Sequence, residues 1–267
     1  MRSQSVKWLS NILALRRQPP VFVFQAGKVG SSAVRSTIVA SSAELCSGRL
    51  GGGIVEQAHA HAHFTPEARL ALATCRRWRL PHFVICPIRD PVSRNVSAFF
   101  ENFERNTGLA WQSENWTTER LLELFEHHDR HNLHLPMRDC IEWFDRHMQP
   151  TFDFDALAQP FDVARRWQIY RAGAARILIY RVDLDRAAQL QLIATLLQRP
   201  LSAWVRQNEA QDKAYAQSYA TFCRDAVLPV EYINRINASR MAQHFWSAEE
   251  LAQHAAKWSA NRATTSA

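Results

Sequence analysis

Lysine is scarce in this chain. Of 32 basic residues among 267, only Lys7, Lys28, Lys213 and Lys257 are lysines. A genomic base composition favouring arginine explains the background, and against it a lysine inside a glycine loop stands out. Cysteines are few and odd in number: Cys46, Cys75, Cys86, Cys140 and Cys223, with no CxxC pair. That excludes a disulfide framework or a zinc knuckle and indicates reduced thiols, as in the cytoplasm. Cys86 lies in an apolar run and is expected in the core. No window approaches ~20 continuous apolar residues, so no transmembrane helix is expected. Internal repeats and low-complexity segments are also missing.

What is present is ordinary for a globular protein: 47% hydrophobic and 21% charged residues. The length suits one large α/β domain or two small ones. Subtracting 25 acidic from 32 basic residues gives a net charge of +7. This favours anionic ligands without separating a nucleotide from nucleic acid or an anionic glycan. Residues 1–20 read as a leader helix that ends at Pro19–Pro20. Its apolar stretch is short and broken by Arg16–Arg17, unlike a signal peptide. An amphipathic helix resting on the domain, or contacting a membrane surface peripherally, fits it.

The most informative segment is Val21–Ser32, VFVFQAGKVGSS. A β-type apolar run breaks at Gln25–Ala26–Gly27 and passes through Lys28–Val29–Gly30 into Ser31–Ser32 and a helical pattern, expected over residues 31–40. Strand, tight loop and helix N-terminus together form a geometry that holds phosphate-like anions. Gly27 and Gly30 allow unusual φ and close backbone approach. Ser31 and Ser32 place hydroxyls beside the unpaired N–H groups of the first turn. The order is not that of a Walker A loop, in which lysine follows the second glycine.

A second segment has the same grammar. His82–Ile88, HFVICPI, reads as a buried strand. It ends at Arg89, with Asp90 as N-cap and Pro91 in the first turn of a helix expected to reach Asn106. Ser97 follows Arg89 by about two helical turns, so a guanidinium fork and a hydroxyl can grip one phosphate. Arg94 adds positive charge. Further elements are a strand from Ile54 to about His61, a helix over Pro66–Trp78 with Thr65 as cap, helical pattern from Thr117 to Met148, and a fourth strand over Arg176–Val182. Strands alternating with helices imply a parallel sheet with covering helices. Pro150–Asp162, with Phe152, Phe154 and Phe161, reads as an irregular loop that either borders a substrate site or caps the core. A helical C-terminal region ends in a disordered tail over residues 263–267.

Both segments resemble sulfotransferases that use PAPS (3′-phosphoadenosine 5′-phosphosulfate). K-x-G-S-S after a strand is similar to their phosphosulfate loop, and RDPVSRNVSAFF to their 3′-phosphate site. ILIYRVDL at Ile177–Leu184 looks like a later family strand, with Arg181–Val182 in place of the usual Tyr–Glu. Asn208, Lys213, Tyr215, Tyr219 and HFWSAEEL from His244 resemble bacterial capsular-polysaccharide-type members. The resemblance implies a three-layer α/β/α fold like that of P-loop nucleoside triphosphate hydrolases. It also implies a mostly parallel sheet of four to five strands, a helix-rich C-terminal half and one sulfotransferase-like domain over residues 21–262. It implies PAPS as co-substrate, PAP as product, no metal and an acceptor hydroxyl on a saccharide. In that reading Gly27, Lys28, Val29, Gly30, Ser31 and Ser32 hold the phosphosulfate, Arg89, Arg94 and Ser97 hold the 3′-phosphate, and Lys28 stabilises the leaving phosphate.

His59–Ala60–His61–Ala62–His63 admits three readings. Alternating residues on a strand share a face, so the run could ligate a metal, although no HExxH pattern follows. It could be polar strand-end structure. It could also hold a catalytic base, because histidine titrates near neutrality. The family resemblance assigns that role to His63 first and His61 second, with Glu67, Glu101 and Glu104 as fallback carboxylates. Trp111, Trp116, Trp143, Phe152 and Trp246 could stack on sugars or simply pack. Two rival classes remain open: an ATP-dependent P-loop kinase relative, and a non-enzymatic polyanion binder. No nucleic-acid motif is present.

Overall fold

The computed structural model describes residues 12–45, 54–58, 60–113, 115–131, 136–207 and 213–259. Five strands form one sheet: β1 Val21–Phe24, β2 Val55–Ala58, β3 His82–Ile88, β4 Trp167–Ala172 and β5 Ala175–Arg181, in the order β2-β1-β3-β5-β4. β2, β1, β3 and β5 run parallel. The edge strand β4 pairs antiparallel with β5 through a turn at Gly173, where φ is 57°. The fold is α/β with a mostly parallel sheet, as expected, and the elements after β5 are helical. The expected fourth strand is the fifth in the chain, because β4 precedes it.

β1 explains why helices cover both sheet faces. All four of its residues are buried, and alternation sends Phe22 and Phe24 one way and Val21 and Val23 the other. Val21 and Val23 meet Val34 and Ile38 of helix α1 (Ser31–Leu45). Phe22 and Phe24 pack with Phe64 and with Ala68 and Leu72 of α2 (Pro66–Trp78). Thr65 caps α2 as expected, accepting from the Ala68 N–H at 3.2 Å.

Asp90 caps α3 (Pro91–Glu101), accepting from Ser93 N at 2.8 Å. The helix breaks at Asn102, short of the expected Asn106, and a one-turn helix follows at Phe103–Thr107. The apolar face of α3 enters a separate cluster. There Phe99 packs on Phe125 of α4 (Thr118–His131), and α3 also contacts α5 (Pro136–Trp143).

The Pro150–Asp162 segment contains helical turns at Gln149–Phe152 and Ala156–Ala158. Phe152 and Phe154 are buried and Phe161 packs against the same cluster, so these rings cap the core. Trp143 and Trp246 are also buried, and Trp111 and Trp116 pack against Phe103. All five aromatics that could stack on sugars or pack thus have packing partners, and two of them, Trp143 and Trp246, also line clefts.

After β5 come α6 (Arg186–Leu197), α7 (Ala216–Asp225), α8 (Val230–Asn237), α9 (Arg240–Phe245) and α10 (Ala248–Lys257). α6 covers the α1 face of the sheet and α9 the opposite face. Of the leader, residues 12–17 are helical and 1–11 lie outside the described residues, as does the 263–267 tail. Among the described residues no helix is long and apolar enough to cross a membrane. Cys75, Cys86 and Cys140 are buried thiols, and burial pushes the Cys86 thiol far up.

Candidate functional site

The parallel strands end together, and the loops at their carboxyl ends build the site, where open α/β sheets hold ligands. The loop from Gln25 to Gly30 has left-handed φ at Gly27 (89°), Lys28 (59°) and Gly30 (72°). For Lys28 this conformation is costly, and the surroundings hold it in place. The Gly27 N–H donates to the side chain of the buried Gln25, whose own N–H donates to Ala58 O of β2 at 3.2 Å. The carbonyls of Ala26 and Gly27 accept from Arg94, the second at 3.2 Å, and Lys28 O accepts from Arg89 at 3.5 Å. Three successive loop carbonyls are thus held by the two arginines that begin the β3–α3 unit.

The intrahelical ladder of α1 starts at Val34 N to Gly30 O. The N–H groups of Ser31, Ser32 and Ala33 precede it and carry the positive end of the helix dipole. Ser31 is buried and its hydroxyl accepts from Gln57 Nε2 at 2.9 Å. The expected strand–loop–helix is present.

Two clefts meet over this loop, and Lys28 lines both. The first, of about 370 Å³, lies toward β3 and β5, with Arg89, Asp90, Arg181 and Arg186 on its walls. The second, of about 580 Å³, lies toward β2, with Ser31, Ser32, His63, Glu101 and His147 on its walls. Arg94, Ala98 and Glu101 of α3 face the second cleft at helical spacings of four and three.

Lys28 Nζ lies 3.1 Å from Glu101 Oε1. Burial holds the Lys28 pKa below its ordinary value, against the raising effect of Glu101. Burial acts to raise Glu101, but hydrogen bonds from Tyr215 and Lys28 outweigh it and hold its carboxyl below the usual range. Lys213 Nζ approaches the same oxygen at 3.7 Å.

The expected residues of the β3–α3 unit take different places. Arg94 is buried on the wall of the second cleft, and its guanidinium holds Ala26 O, Gly27 O and Asn95 Oδ1, so it braces the loop. Arg89 lines the first cleft, and Asp90 caps α3 as expected. Ser97 is half-buried and lines neither cleft. Seven residues beyond Asp90, it shares that face of α3 but lies about 10 Å further along the axis.

β2 ends at Ala58, and His61–His63 is a 3₁₀ turn, so alternation on a strand does not order the histidines. His63 is exposed on the second cleft. His59 lies outside the described residues, as does the side chain of His61. Among the described residues no group of three or more His, Cys, Asp or Glu is placed to hold a metal.

Arg181, which with Val182 stands in place of the usual Tyr–Glu of the resembling family, is 2% exposed and forms a two-pronged pair with Glu250 of α10 at 2.7 and 2.8 Å. Sequence reasoning missed this pair and the convergence of Lys213 and Tyr215 on Glu101. The rarity of lysine was the available signal for the second. Comparison with models of protein families, with curated proteins and with solved structures gave no match.

Proposed function

We propose that this chain is a PAPS-dependent sulfotransferase of P-loop-like fold that transfers a sulfuryl group to a hydroxyl, on a saccharide or glycolipid precursor. The observation that carries the reading is the position of Lys28, at the N-terminus of α1 and at the junction of two clefts. A donor in the first cleft and an acceptor in the second would meet at its ammonium. The residues fit a bisphosphate nucleotide: backbone N–H groups at the start of α1 receive one anion, and Arg89 offers a second cationic point in the adjoining cleft.

The chain's residues then divide the work. Gly30 to Ser32 and the α1 N-terminus orient the phosphosulfate. Lys28 stabilises charge that grows on the leaving phosphate oxygen. Arg89, on the wall of the first cleft, selects for the 3′-phosphate. His63 on the second cleft takes the proton of the acceptor hydroxyl. Arg94 keeps the loop in its left-handed conformation. The location that fits this reading is cytoplasmic.

Calorimetric titration with PAP, and with AMP lacking the 3′-phosphate, tests the reading on wild type and Arg89→Ala. Tight PAP binding that is lost in AMP and weakened in the variant supports it. A well-folded protein that binds ATP with Mg²⁺ but not PAP moves the assignment to phosphotransfer. Binding of polyanions alone, with steep salt dependence, removes the enzymatic reading.

A further inference from the structure

We propose that the end of the sheet where the parallel strands begin, opposite the clefts, is a docking surface for an anionic membrane. Arginines of the leader, of α2 and of the β4–β5 hairpin attract the lipid headgroups, and Trp78 enters among them. This surface lies away from the clefts and is independent of the nucleotide chemistry proposed for them.

The topology gathers the charge. Arg16 and Arg17 end the leader helix shortly before β1, and Arg76, Arg77 and Arg79 close α2 shortly before β3. β1 and β3 are neighbours that start together, and Phe83 N donates to Pro20 O at 2.9 Å. Ala175, the first residue of β5, lies in register with His82, so the hairpin turn that joins β4 to β5 sits at the same end. Arg171 and Arg176 flank that turn, and of all these arginines only Arg176 is partly buried. The three stretches that supply them, residues 12–30, 68–89 and 163–182, contain no aspartate or glutamate.

Local helix electrostatics accounts for one group alone. Arginines in the last turn of α2 complement the negative end of its dipole. The leader and the hairpin have no such reason for theirs. Arg171 and Arg176 stand directly opposite each other across the antiparallel pair, where like charges destabilise. An anionic surface offsets that repulsion.

The apolar component decides between kinds of polyanion. Trp78 is 46% exposed and Leu13 is 51% exposed, each beside the arginines. The Arg77 guanidinium lies 5.7 Å from the centre of the Trp78 ring. A tryptophan set among arginines suits the headgroup level of a bilayer, where the ring enters the interface and the guanidiniums meet phosphates. A nucleic acid would use the charges but offer Leu13 no apolar contact.

The orientation has a consequence. β3, seven residues long, spans about 20 Å between this surface and the clefts at its other end. Protein seated this way presents both clefts to water. Joined to the sulfotransferase reading, that orientation lets a lipid-linked acceptor reach the second cleft with its outer sugars.

The test needs neither nucleotide nor acceptor. Full-length wild type, the double variant Arg77→Glu/Arg79→Glu, Trp78→Phe and the control Arg120→Glu on α4 are sedimented with two kinds of vesicle. One is phosphatidylcholine alone, the other phosphatidylcholine mixed with phosphatidylglycerol, and thermal unfolding is the folding control. Wild type is expected to bind only the mixed vesicles and to be released by high salt. The double variant should partition at least about tenfold less, with Arg120→Glu unchanged and PAP affinity the same in all. Brominated lipid should quench tryptophan fluorescence in wild type and do so less in Trp78→Phe. Absence of binding by wild type, equal binding to both vesicles, equal losses in the control, or undiminished quenching in Trp78→Phe overturns the proposal. Single-stranded RNA that binds this surface and excludes vesicles overturns it in favour of a nucleic-acid partner. None of these outcomes bears on PAP binding, so the sulfotransferase reading stands or falls separately.

Discussion

Replacing Glu250 by glutamine should destabilise the protein by an amount that depends on pH. Arg181 donates to Glu250 through Nη1 at 2.8 Å and Nη2 at 2.7 Å, and to Asp183 through Nε at 3.2 Å and Nη2 at 2.6 Å. The guanidinium is 2% exposed, Glu250 is 21% exposed and Asp183 is 46% exposed. The arginine therefore has little water to fall back on if a partner is lost, whereas the carboxylates can rehydrate. The Arg181 hydrogen bonds are the main cause that holds the Glu250 carboxyl at about 2, against an ordinary 4.5. A carboxylate depressed in the folded state stabilises above its unfolded value and loses that contribution as pH falls through its folded value. The window is therefore pH 4.5 down to about 2. The full shift would correspond to about 3 kcal/mol, and screening at a partly exposed group brings this to about 2 kcal/mol. Urea unfolding followed by tryptophan fluorescence should give Glu250→Gln a deficit of about 2 kcal/mol at pH 7 that narrows once pH drops below about 4.5. A deficit that is constant across this range would refute the charge-based account and leave only the capping box with Ser247 as its cause.

Lys28→Ala should lower PAP affinity at least about tenfold while leaving the melting temperature unchanged, as read by calorimetry on both proteins. Arg94→Ala should cost about 3 kcal/mol in urea unfolding, because it frees two loop carbonyls and empties a buried site, and PAP affinity should fall with it. Because burial lowers the Lys28 pKa and Glu101 raises it, the Lys28 ammonium should be lost at a lower pH in Glu101→Gln than in wild type. NMR titration of the lysine Cε signals follows this directly, and an unmoved or raised midpoint would contradict it.

The elements built on strong local signals were legible in the sequence. β3 has the bounds its apolar run implies, and α2 the bounds set by Thr65, Pro66 and the left-handed Arg79. The Lys28 loop was recognisable because strand, glycines and serines lie within one short stretch. β4 was not, because its alternation is weak: Trp167 and Ile169 are only half-buried at the sheet edge, and the Gly173 turn was the sole punctuation. The histidine run misled because alternation is informative only while the chain stays extended, and here it turns after Ala58. Arg94 looked like a ligand for the reason that makes it a brace: a guanidinium satisfies carbonyls as readily as phosphates. No local pattern separates those two uses, and only the fold brings Ala26 and Gly27 to it.

The same helix explains why the site depends on so few residues. α3 contributes Arg94 beneath the loop, Ala98 on the wall of the second cleft and Glu101 against Lys28. Its position is fixed at one end by Pro91 and the Asp90 cap and along its apolar face by Phe99 and Phe100, both fully buried. The loop has only the short β1 behind it and a strained lysine within it, so its conformation follows α3 rather than its own preference. A change that moves α3 by one turn would take the brace from the carbonyls and the carboxylate from Lys28 together. Loop geometry and lysine charge state are therefore set by a single packing interface, which is why the helix core should tolerate exchange of aliphatic residues better than any shift of its register.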